Sequence, residues 1–132
     1  MNESRWRDLR ATIEAELPFI PASQVQKLNE PPLRLAKTTE CYEGPSWDHE
    51  SIQPYKLIEW MRLIPRRYEF TGFLLPSRLT GDCTIELRDI LLRLRTPFYE
   101  DRESTFWIYG YAPSDPATFS EPWFRPEGSS DT

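Results

Sequence analysis

The run Tyr55-Lys56-Leu57-Ile58-Glu59-Trp60-Met61-Arg62-Leu63-Ile64 constrains this chain more than any other stretch. It reads as one strand, closed at both ends by proline, Pro54 and Pro65. Ten extended residues span about 33 Å. β-branched and aromatic residues dominate it, and a proline at either end removes a donor where a ladder loses least. Period-two alternation puts Tyr55, Leu57, Met61 and Leu63 on one face and Ile58, Trp60 and Ile64 on the other. Both faces are therefore mostly apolar. An edge strand with one wet face would alternate cleanly, so this pattern requires a central place in a sheet. Each face also carries one charge, Glu59 on the first and Arg62 on the second.

The remaining elements are read against that strand. Residues 4–17 place Trp6, Leu9, Ile13 and Leu17 at spacings of three and four, the stripe of an amphipathic helix. Asn2 or Ser4 would cap it and Pro18 would stop it. Residues 24–28 predict a short strand, and 33–35 a further extended piece. Residues 41–53 have the turn formers of an exposed loop, with Trp47 in their middle. Residues 68–75 predict an antiparallel partner for the central strand, with Gly72 at a bulge and 76–81 as a connection. A second helix over 82–95 sets Cys83, Leu87, Ile90, Leu91 and Leu94 on one face. Phe98-Tyr99 and residues 105–111 then flank a charged turn as a closing hairpin. The fold class is α+β: a largely antiparallel sheet with two amphipathic helices packed on it. Residues 1–111 form one domain, and 112–132 a Pro-rich acidic tail.

Charge and cysteine content exclude several functions. Sixteen basic against 21 acidic residues give a net charge of −5. The surplus is uneven, because residues 53–97 hold eight basic against five acidic groups and the two ends are acidic. A nucleic-acid binder needs uncompensated positive surface to displace counterions, so nucleic acid is not an expected partner. No apolar run approaches the ~20 residues that span a bilayer, and a membrane is not expected either. Cys41 and Cys83 have no metal-type spacing, and a cytoplasmic protein with reduced thiols follows, although a bridge between them stays open.

Trp6-x-x-Leu9, Leu17-Pro18-Phe19-Ile20-Pro21, Ile58-Glu59-Trp60, Pro65-Arg66 and Thr105-Phe106-Trp107-Ile108-Tyr109-Gly110-Tyr111 stand in an order and spacing of their own. Over residues 5–111 this pattern resembles a small bacterial family known only as a domain of unknown function. The resemblance implies a compact α+β domain with one helix before the sheet and one between strands. It implies no activity, cofactor or catalytic residue. In size and acidity the chain also resembles immunity proteins of bacterial toxin systems, a likeness of kind and not of motif.

Candidate sites divide three ways. Trp47, Phe119, Trp123 and Phe124 lie outside the packed pattern and are candidate partner anchors, since large aromatics dominate binding hot spots. Arg62, Arg66 and Arg67 concentrate positive charge near one end of the central strand, a candidate anion site. Glu59 in an apolar strand, or Cys41 beside the single histidine His49, would serve a small enzyme. Neither carries a second carboxylate, a metal spacing or a glycine-rich phosphate loop. The leading expectation is a non-catalytic protein-binding domain, immunity-like, meeting a basic toxin or effector with its acidic ends. It needs no cofactor and no metal. A small enzyme and a small-anion sensor are the alternatives.

Overall fold

The computed structural model describes residues 1–38 and 44–111. Helix α1 spans Glu3–Glu16. Asn2 caps it, its side-chain oxygen accepting the Arg5 N–H at 2.9 Å, which satisfies one of the donors a helix leaves open at its start. Its buried stripe is Trp6, Leu9 and Ile13. Strand β1 (Ala22–Lys27) follows, then β2 (Ile58–Ile64), β3 (Arg66–Glu69) and β4 (Arg78–Asp82). Helix α2 (Thr84–Arg93) leads to the hairpin of β5 (Phe98–Glu100) and β6 (Phe106–Tyr109). At the start of α2 Asp82 accepts both the Thr84 N–H and its hydroxyl.

The four-stranded sheet runs β1-β2-β6-β5, antiparallel throughout, with β2 central. The long strand read from sequence is shorter in the fold. Tyr55–Leu57 form a turn of 3-10 helix, closed by the Leu57 N–H on the Pro54 carbonyl, and the strand begins at Ile58. A second difference is larger. Residues 68–75 do not pair with the central strand, because β1 and β6 already occupy both its edges. The chain continues past Pro65 into β3, and β4 arises mostly from 76–81, read from sequence as a connection; β3 and β4 make a separate two-stranded sheet.

Both faces of β2 are covered, as its pattern requires, but Ile58 packs in the helix-side core with Met61 and Leu63 and not on the Trp60 face read from sequence, because an irregularity at Glu59 breaks the alternation. Met61 and Leu63 pair with Ile108 and Phe106 and face the helices, where Trp6, Leu9, Ile13, Leu87, Ile90 and Leu91 complete the core. On the other face Trp60 and Arg62 lie opposite Tyr109 and Trp107, with Tyr99 and Leu35 packed on them. Residues 31–37 cross this face without regular structure, held by side chains. Gln24 takes the Ala36 N–H and donates to the Arg34 carbonyl, and Gln26 accepts the Leu33 N–H at 2.6 Å. These glutamines supply the backbone partners that a ladder would otherwise give. The extended piece expected at 33–35 is this crossing segment.

Between Gln26 and Lys27 the register slips, so that Ile58 and Trp60 face consecutive β1 residues and Glu59 is the extra residue of a β-bulge. Gly110 fits against it: a Cβ there would overlap the Ile58 carbonyl oxygen. Ion pairs lock the layers, with Arg93 on Glu16 at 2.6 Å between the helices and Arg88 bidentate on Glu100 between α2 and β5.

Candidate functional site

The feature that departs furthest from a closed surface is the β3–β4 arm. Its strands are short and polar. Glu69 sits opposite Arg78 and binds it at 2.6 Å, and Arg66 sits opposite Asp82. Beyond the strands the chain turns through Phe70-Thr71-Gly72-Phe73-Leu74-Leu75-Pro76-Ser77, eight residues without a charge. The Thr71 hydroxyl donates to the Pro76 carbonyl at 2.9 Å, and Gly72 takes φ +146°, a torsion that glycine alone adopts at no cost. Gly72 thus serves the tip and is not the bulge read from sequence, which lies between Arg67 and Tyr68.

The arm is anchored at its base and bare at its tip. Phe19, from the connection between α1 and β1, lies under the Arg67 guanidinium at 4.7 Å and against Gly81, where a Cβ would come within 2.8 Å of the ring. Arg66 donates to the Thr84 hydroxyl and to the Glu103 and Ser104 carbonyls, and the Cys83 N–H donates to the Pro65 carbonyl. At the tip Phe73 is 96% and Leu74 97% exposed. Phe70, Leu75 and Leu79 are each at least half exposed, and Phe70 meets Phe73 edge-on, ring centres 5.5 Å apart. Scattered exposed leucines need no explanation, but four large apolar side chains on one uncharged turn, with Leu79 beside them on β4, do.

The residues singled out from sequence fall elsewhere. Trp47 is not a surface anchor. It is 1% exposed, with its ring edge on Trp6 at 6.2 Å, because the 47–53 turn folds back onto α1. Arg10 holds that turn through both oxygens of Asp48, at 2.5 and 2.8 Å, and keeps the Asp48 carboxyl below its ordinary range. Phe119, Trp123 and Phe124 lie outside the described residues.

The three arginines do not share one concavity. Arg62 is buried, donating to the Ala36 carbonyl, Gln24 and Thr105 and lying 5.4 Å from the Trp107 ring centre. Thr105 and the Trp107 indole in turn donate to Asp101, so Arg62 belongs to a polar network that pins the crossing segment to the sheet. Arg66 serves the base of the arm and Arg67 stacks on Phe19. They anchor structure where an anion site was expected.

Glu59 is half-buried at the bulge, and its backbone carbonyl accepts the Gly110 N–H at 2.9 Å. His49 is exposed, its Nδ1 accepting the Ser51 N–H at 3.1 Å. It borders a shallow cleft of about 580 Å³ with Lys27, Glu30 and Ser51. Cys41 lies outside the described residues. Among the described residues no group of three or more His, Cys, Asp or Glu could hold a metal.

Cys83 is a free, fully buried thiol. Burial, with Glu86 and Asp82 nearby, pushes it up to about 12. The thiolate is the reactive form, so Cys83 should react with a thiol reagent at pH 8 only after unfolding. Reaction with the native chain, followed by mass mapping, would show that the base of α2 opens.

No helix among the described residues is long and apolar enough to cross a membrane. No curated protein and no solved structure matches the chain. A family of unknown function (DUF6678) matches residues 1–115, and the chain belongs to that family.

Proposed function

We propose that the chain is a non-catalytic protein-binding domain of the immunity-like kind, and that the arm tip is its contact. The exposed, uncharged Phe73-Leu74 tip carries this assignment. Burying one such side chain stabilises a complex by about 1.5–3 kcal/mol, and none of the tip residues gives up an internal contact network to do so.

A photo-reactive residue in place of Phe73, in the full chain within its source cells, should yield one discrete protein adduct. The same group at the exposed Asp8 on α1 should yield none, and Leu74→Asp should remove the adduct at position 73. If position 73 gives no protein adduct, or gives the same diffuse products as position 8, the assignment fails.

A further inference from the structure

We infer that the partner held by the arm is a second copy of this chain, in a two-fold dimer built from the arm and the outer face of α2. This rests on the protein-binding function proposed above and names its partner. Ten large apolar residues stand exposed among the described residues, and seven of them fall between positions 70 and 92. Five are on the arm. The other two, Ile85 and Leu92, lie seven apart on α2, two turns along one side, at 73% and 61% exposure. The buried residues Leu87, Ile90 and Leu91 hold the opposite side of that helix to the core.

The area these residues offer is that of a dimer. The exposed portions of the seven amount to on the order of 800 Å² per copy, about what each partner contributes to a standard specific interface. The charge points the same way. The arm and α2, residues 66–93, contain Arg66, Arg67, Arg78, Arg88 and Arg93 against Glu69, Asp82, Glu86 and Asp89, close to balance within a chain of net −5. All of the chain's surplus charge therefore lies outside this segment. A strongly charged partner or an anionic lipid surface would select a charged segment, whereas two identical copies meet most readily where each carries little net charge. A two-stranded sheet is also marginal in water unless something packs on it, and a two-fold contact covers both arms at once.

Sedimentation equilibrium of the full chain between about 1 and 100 µM tests this. The wild type should approach the dimer mass. Leu74→Asp should raise the dissociation constant roughly 100-fold or more, leaving a monomer, because it buries a charge where a leucine packed. Phe73→Ser should act in the same direction, and Ile85→Asp should weaken the dimer about tenfold. Leu28→Asp, outside the arm and α2, should leave it unchanged. Far-UV circular dichroism of each variant should match the wild type, so that the change in mass reports the interface and not unfolding. A wild type monomeric throughout overturns the inference; if position 73 still gives an adduct with a different protein, the protein-binding function survives it. A dimer indifferent to Leu74→Asp also overturns it, since the interface then lies elsewhere. A monomer that sediments with phosphatidylcholine–phosphatidylserine vesicles through Leu74 overturns both.

Discussion

Replacement of Gly110 by valine is expected to remove most of the stability of the chain, about 3–5 kcal/mol of the 5–15 typical of a domain. Space is the cause, not torsion. The bulge at Glu59 brings the β2 backbone against the end of β6, where the Gly110 N–H donates to the Glu59 carbonyl at 2.9 Å. The first side-chain carbon would overlap the Ile58 carbonyl oxygen and crowd that of Glu59. Backbone must then move, since no flexible side-chain end is available to yield. Separating the strands there breaks the hydrogen bond and disturbs the Trp60–Tyr109 pair beside it. Alanine should cost nearly as much as valine, because the offending atom is the Cβ common to both. Urea denaturation of Gly110→Ala and Gly110→Val measures this, and a loss below about 1 kcal/mol for alanine would show that the β2–β6 end can shift freely.

What the sequence makes legible follows from how local each signal is. The stripe of Trp6, Leu9 and Ile13 sits on α1 as its spacing requires, and Asn2 caps the helix. The two apolar faces of residues 58–64 lie centrally in the sheet, and Phe98-Tyr99 and residues 106–109 pair as a hairpin. Each depends on periodicity within one segment. Pairing across segments is harder: residues 68–75 follow the central strand and suit a strand, but their adjacency says nothing of β1 and β6 competing for the same edges. A local signal for the arm tip was nevertheless present. Phe73-Leu74-Leu75 are three consecutive apolar residues between Gly72 and Pro76, and no strand alternation can turn all three inward. The arginines mislead for a different reason. Arg62 shares a face with Trp60, and a charge on an apolar face signals a buried network rather than surface charge, but its partners Gln24, Ala36 and Thr105 are distant in sequence.

Trp47→Ala should be the other severe substitution, again at about 3–5 kcal/mol, although the residue stands in a loop of Gly44, Pro45, Ser46, Asp48 and Ser51. Those polar residues form the outer side of a turn whose inner side is the indole. Asp48 binds Arg10, the Ser46 hydroxyl accepts the Asp48 N–H, and Gln53 donates to the Trp47 carbonyl at 2.8 Å. Trp47 meets Trp6, which stacks on Tyr55 with ring centres 6.0 Å apart. Alanine would leave a cavity in the middle of this cluster and detach the turn from α1. Phenylalanine should be far milder. It keeps much of the ring contact, and it removes a buried indole N–H that has no hydrogen-bond acceptor among the described residues. The contrast between the two variants separates packing from binding. A partner anchor at Trp47 would lose affinity with either variant while denaturation midpoints stayed put. A core residue loses stability with alanine, keeps it with phenylalanine, and leaves the affinity of the folded fraction unchanged. Equal midpoints for wild type and Trp47→Ala would show that the turn does not hold the core closed.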